Sequence, residues 1–381
     1  MNDELTTRLT RQLHDQVDDW HATPLTLDEV RGRARSIRRT RRVVAGGTVA
    51  AVLAIAAPLA VTASGVLDAR PDRSLPPATS TPSEAVEQEP SGLGVPYLEG
   101  RTLTMPDGSA VELPRAYDAF TVLGDEVLAT WIDLDDGSVT LERLRDGEVV
   151  GTQPITGIAT NHEGNAVTYV DQDGQIIIEW AGGDTTVGTV PGARPIRLLG
   201  GPECTRGVHE CVVYVDDGQQ VRFLDNAGED LPVDGLAVPD VSVDGAVAVM
   251  TSVDDLEPGS CSTVRTPVEE RFSTCDYSLG RFSPDGAHIS ASEDYLDGIG
   301  NRLQAILDAR TGRELVRLEP DEGFFNTVAW EDADHLLAIL HDWSTGTWQV
   351  VRLGVDGTTE TVLGPVEGDE TTPPWRLPGF A

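Results

Sequence analysis

Three features of the 381-residue chain predict a mostly β fold: a β-propeller of six or seven blades, preceded by an α-helical cytoplasmic segment and one transmembrane helix. A strand–turn–strand unit recurs about every forty-two residues from residue 116 onward, and four strands in such a period is the pattern of a propeller blade. Residues 43–67 carry no charge, and seven arginines crowd into residues 31–42 just before them. Between span and repeat, residues 68–96 are rich in proline. The expected domains are therefore a helical segment over 1–42, a transmembrane helix over 43–67, a linker over 68–96 and an extracytoplasmic propeller over 97–381.

In the first segment Leu5, Leu9, Leu13 and Val17 recur every four residues and place an apolar stripe on one helix face. A second helix starts at Thr26. Thr26-Leu27-Asp28-Glu29 is a capping box, and Leu25 and Val30 flank it as a hydrophobic staple. This segment reads either as a juxtamembrane helix on anionic headgroups or as a docking site for a cytoplasmic partner. The run from Val43 to Leu67 is long enough to cross the hydrocarbon core, which takes about 20 residues. The arginine cluster holds its N-terminal flank in the cytoplasm, so the expected location is the cell membrane, single-pass, with the C-terminal domain outside. Val61-Thr62-Ala63 resembles a small-residue cleavage site, but the preceding region and the apolar run are both longer than a signal peptide uses. Pro71, Pro76, Pro77, Pro82, Pro90 and Pro96, spread among Ser, Thr, Glu and Ala, keep the linker extended.

The recurring unit of the outer domain is a short strand, a polar turn ending near Gly, and an apolar strand. It reads LGDEVLATW (123–131), NHEGNAVTYV (161–170), SVDGAVAVM (242–250), SPDGAHISA (283–291) and EDADHLLAI (331–339), with a copy carrying an insertion over 199–215. The apolar strands start near Val127, Ala166, Val212, Ala246, His288 and Leu336. Six blades fill 116–366, and the hairpin over 102–114 can complete another with the C-terminal tail. A pair of β-sandwiches also has turns every 8–12 residues, but not the long period.

FSPDGAHIS (282–290) resembles the strand-turn-strand core of TolB-type and WD-repeat-like propellers. The Trp-Asp dipeptide of true WD repeats is absent, as is the sialidase Asp box. The order of inner segment, arginine cluster, span, stalk and propeller resembles a group of actinobacterial single-pass membrane proteins. That resemblance implies architecture and carries no activity.

Residues 68–381 hold nineteen arginines against fifty-six acids, and the chain has no lysine. Such a field repels nucleic acid and anionic lipid and favours cationic ligands weakly. The four cysteines, Cys204, Cys211, Cys261 and Cys275, all lie beyond the span, which suggests disulfides. Of three connectivities, local closure favours Cys204–Cys211 and Cys261–Cys275. The C-x2-C spacing of a zinc site is missing. Asp133, Asp135 and Asp136 before Gly137 form the densest oxygen cluster, read as a solvated turn or as calcium ligands without EF-hand spacing. His335 and His341 flank a strand, which explains them better than ligation. No nucleophile elbow, H-E-x-x-H helix or phosphate loop occurs, and no cofactor is expected.

The function read from these features is a membrane-anchored binding or scaffold module for a protein or cell-envelope ligand. The alternatives are a cell-envelope hydrolase or lyase, and a transmembrane sensor with residues 1–42 as its output. A cluster of His, Arg and carboxylate at one mouth of the channel favours an enzyme, and a bland mouth favours binding.

Overall fold

The computed structural model describes residues 92–202, 204, 211–254, 259–293 and 300–379. The expected cytoplasmic helices, the span and the linker up to residue 91 lie outside the described residues. Among the described residues no helix is long and apolar enough to cross a membrane, and all regular structure is β-strand. Packing begins at Leu93, within the segment expected to be linker: its side chain is buried, and the Gly94 amide donates to Glu331.

The first sheet draws on both ends of the domain. It contains β1 (Tyr97–Glu99), β2 (Thr102–Thr104) and β3 (Ala110–Glu112), with β27 (Trp375–Arg376) paired to the other side of β1. Next come β4 (Ala119–Leu123), β5 (Glu126–Ile132), β6 (Val139–Arg145), β7 (Glu148–Thr160), β8 (Ala166–Asp171), β9 (Gln175–Trp180) and β10 (Gly183–Thr189), all in one sheet. Four meanders follow. One is β11 (Arg194–Leu199), β12 (Val212–Asp216), β13 (Val221–Asp225) and β14 (Asp230–Val233). Another is β15 (Ala237–Val241), β16 (Val247–Asp254), β17 (Gly259–Arg265) and β18 (Glu270–Thr274). The third is β19 (Tyr277–Phe282), β20 (His288–Glu293), β21 (Gln304–Asp308) and β22 (Glu314–Leu318). The last is β23 (Gly323–Trp330), β24 (His335–Asp342), β25 (Thr347–Gly354) and β26 (Thr359–Glu367).

The six apolar strands expected from the repeat fall on β5, β8, β12, β16, β20 and β24, each second in its group. The expectation of six or seven separate blades needs correction. The described residues form five four-stranded blades and one continuous seven-stranded sheet. The cause is β7, whose first half pairs with β6 and whose second half pairs with β8. Chain that elsewhere turns between an outermost and the next innermost strand here runs straight on, with a register shift between Ile155 and Gly157. The two halves still face each other, because Leu128 and Leu141 pack against Val167 and Tyr169.

The most fully covered second strand is buried on both faces: every residue of β24 except its two ends is buried. Outermost strands face water, and β14 is exposed except at Val233. Neighbouring groups bury their faces against each other, as Ala166 and Ile178 do against Leu198 and Val213. Ring closure follows the same rule. Leu93 and Trp375 pack against Leu337 and Val350, while Leu98 and Leu103 pack against Phe120 and Ala129. Each Leu, Ile, Val or Phe among them contributes about 1.5–3 kcal/mol by leaving water.

Several turns after innermost strands are built by side chains. In FSPDG the Ser283 hydroxyl accepts from the His288 amide, and Asp285 accepts from the Ala287 amide. Gly286 closes the turn with φ of 74°, a left-handed conformation that a Cβ penalises; a Cβ there would also lie 2.2 Å from the Ser242 Oγ. Both expected disulfides form. Cys204–Cys211 closes the insertion between β11 and β12. Cys261–Cys275 ties β17 to the residue after β18; the Ser262–Thr274 pairing puts the two cysteines opposite each other, so it is a cross-strand link within one sheet.

Candidate functional site

The innermost strands converge on a cavity of about 330 Å³ at the hub. Thr121 of β4, Thr160 at the end of β7, Arg197 of β11, Arg281 of β19 and Trp330 of β23 all line it. The turn residues His162 and Glu163 form part of its rim, and Gly379 approaches from the C-terminal side. Gly379 is held there by its amide, which donates to the Phe120 carbonyl at 3.0 Å.

Strand position explains why charges meet here. Asp240 and Arg281 each sit two residues before the serine that opens an S-x-D-G turn, and Arg197 sits near the end of the corresponding strand of the preceding blade. Arg197 Nε donates to Asp240 Oδ1 at 2.6 Å, and its Nη1 donates to the Thr160 carbonyl at 3.3 Å. Asp240 Oδ2 accepts from the Phe282 amide at 2.9 Å. One carboxylate thus joins β11, β15 and β19. The Arg197 and Asp240 residues are 7% and 0% exposed, so the pair is screened from water. Leaving either partner alone there costs about 3–5 kcal/mol.

Arg281 is the second guanidinium of the hub. Its backbone carbonyl accepts from Trp330 Nε1 at 2.9 Å, and its amide donates to the Ser290 hydroxyl. Burial and the neighbouring Arg197 push Arg281 down to about 10, with Asp240 offsetting part of the effect, so it keeps its proton at neutral pH. His162 lies on the same side. Its Nε2 lies 2.7 Å from the Val241 carbonyl, and as a carbonyl only accepts, the proton is on Nε2. Burial, then Arg197, holds His162 below the usual imidazole range.

The two carboxylates that line the cavity are committed elsewhere, Glu163 by accepting from Asn165 Nδ2. Glu331 accepts from Arg352 through both oxygens and from the Gly94 amide. His162, Glu163, Arg197, Asp240 and Glu331 therefore each have a structural bond, and no hydroxyl or thiol nucleophile hydrogen-bonds to His162 among the described residues.

The residues singled out from sequence lie away from the hub. Asp133 and Asp136 accept from the amides of Asp135 and Ser138 in the exposed turn between β5 and β6. His335 starts β24 and bonds to Asp332. His341, near the end of the same strand, is buried against Phe324 and Trp348. Among the described residues no three His, Cys, Asp or Glu side chains gather as a metal site. Sequence reasoning missed Arg197, Asp240 and Arg281. Their only signal is a charge inside an otherwise apolar innermost strand, at a similar offset from the turn in successive blades.

No protein-family model matches this chain, and no curated protein matches it. Among solved structures it is similar to the β-propeller domain of Cps50 (Swd1) from Myceliophteria thermophila, at 13% identity and a TM-score of 0.41, covering 66% of this chain and 88% of that one. A likeness at that level carries no functional argument. The sheets, their cyclic packing and the closure of β27 onto β1 identify the described region as a β-propeller domain.

Proposed function

We propose that the chain is a membrane-anchored, extracytoplasmic binding module that takes a protein or cell-envelope ligand at the hub of its propeller. The observation that carries this reading is a lined cavity in which His162, Glu163, Arg197 and Glu331 are held in structural bonds. A general base must reach the proton it removes. His162 instead gives its Nε2 proton to a backbone carbonyl, and both oxygens of Asp240 are occupied. The hub does hold His, Arg and carboxylate, the mixture that favours an enzyme, and a cell-envelope hydrolase is the second reading for that reason. The bonds of those groups support binding over turnover.

The anchor is supported by the uncharged run Val43–Leu67 behind its arginine cluster. The order of segments is that of the actinobacterial single-pass proteins the chain resembles. Reporter fusions at residues 20 and 381 test it: a cytoplasmic signal from the first and an external signal from the second are expected. Incubating membranes bearing the full chain with envelope hydrolase substrates tests the rest. No turnover is expected, and turnover that disappears in His162→Gln contradicts the binding reading.

A further inference from the structure

The chain enters the propeller between two cavities. Val95 and Pro96 line the hub cavity, while Gly92 and Gly94 line a second cavity of about 460 Å³ together with His335 and Arg352. Glu331 lines both. Its side chain is 5% exposed and holds the crossing segment directly: the Gly94 amide donates to Oε1 at 2.5 Å, and Arg352 donates to both carboxylate oxygens. Arg352 also reaches the segment itself, donating from Nη2 to the Gly92 carbonyl at 3.5 Å. Leu93 supplies the apolar hold, buried in the cluster that contains Ala329, Leu337 and Trp375. No ladder supports residues 92–96. The first strand begins at Tyr97, Pro96 has no N–H, and among the described residues no backbone–backbone hydrogen bond joins this segment to the rest. One apolar anchor and one buried ion pair keep it in place.

From this arrangement we propose that residues 92–96 are a releasable strap over Glu331, and that its release joins the two cavities into one groove running outward from the hub. Consecutive strap residues line first one cavity and then the other, and the two meet at the carboxylate the strap covers. A segment held by few contacts opens at a lower free energy than the sheets beside it. Release stops at β1, which is paired to β2 on one side and to β27 on the other. The strap ends the segment expected to be the stalk. A pull or a bound partner on the chain before residue 92 therefore acts on the wall of the hub cavity, and the Glu331–Arg352 pair sets how strongly the strap resists. This device does not depend on what the cavity binds, so it stands apart from the binding reading.

The test uses the full-length chain in detergent and two readouts: hydrogen exchange over residues 92–96, and labelling by N-ethylmaleimide of a chain carrying Ala329→Cys. Ala329 is 6% exposed, lines the hub cavity and shares the Leu93 cluster, and no native cysteine is free to react. Gly94→Val perturbs the strap without altering the clamp residues, because a Cβ there would lie 3.2 Å from the Glu331 Cγ and Oε1. Exchange over 92–96 and labelling at residue 329 are expected to rise together in that variant, each by about tenfold or more, with exchange in β19–β22 unchanged. Leu93→Ala should act in the same way from the apolar side, and exchange measured without Ala329→Cys guards against a folding defect from the added thiol. Faster strap exchange with unchanged labelling overturns the proposal, because the strap then covers no groove. Faster exchange throughout the propeller also overturns it, because residues 92–96 are then part of the global fold. No change in either readout for both variants overturns it as well. None of these results bears on the binding reading, which the turnover assay decides.

Discussion

Asp342, the last residue of β24, accepts from the Ser344 and Thr345 amides of the following turn and from the Ser344 hydroxyl, all within three residues. Asp240, inside β15, accepts from Arg197 forty-three residues before it and from Phe282 forty-two residues after it. The first carboxylate stays in water and shapes its own turn. The second is buried and holds three blades to one another. The turn solution repeats around the rim, at Asp107, Asp136, Asp217, Asp356 and Asp369. Much of the chain's acidity is therefore turn chemistry, and acid count says little about where a site lies.

Removing the hub carboxylate should have the largest effect. Asp240→Ala strands Arg197 in a buried position and is expected to cost about 3–5 kcal/mol in denaturant unfolding. A loss below about 1 kcal/mol means the pair is more solvated than its burial indicates. The Cys261–Cys275 link is local in the chain but covalent, so it asks whether sequence distance alone separates the two regions. Replacing both cysteines with serine should cost about 3 kcal/mol, given a separation of 14 residues. A smaller effect than a single turn aspartate would place the stabilisation elsewhere. Asp342→Ala should cost the least, near the low end of about 0.5–1.5 kcal/mol, because water replaces the lost bonds.

The turns also set the response to acid. Hydrogen bonds from Ser344, Ser138, Thr358 and Thr371 hold Asp342, Asp136, Asp356 and Asp369 below the ordinary value of 3.8. A carboxyl lowered on folding stabilises fully above its unfolded value, and that contribution is lost as pH falls through the folded one. Melting temperature should therefore hold above about pH 5 and drop below about pH 4. The Asp342→Ala variant should drop less than the unmodified chain; an equal drop would assign the acid response to other groups.

The rim was legible in the sequence because its physics is local. S-x-D-G turns, the apolar second strands and the C-terminal closure all follow from residues near one another or from their period. The Cys204–Cys211 pair was readable for the same reason. Two things were not. Continuity of β7 depends on Pro154 to Gly157 staying extended where other blades turn, and no residue type there announces it. The hub depends on how neighbouring sheets pack, so Arg197 meets Asp240 only when the sheet of β11 packs against the sheet of β15. Their charges inside apolar strands were the available clue, and it gains meaning only when successive blades are aligned on their turns.

A double-mutant cycle on Arg197 and Asp240 tests the contrast most directly. Unfolding free energies would be measured for the unmodified chain, Arg197→Met, Asp240→Leu and the double variant. If the buried pair joins the blades at the hub, each single change leaves one charge unpaired and the double variant recovers much of the loss, giving a coupling of about 2–3 kcal/mol. Additivity within about 0.5 kcal/mol would contradict the account, since it would show that the two groups do not depend on each other.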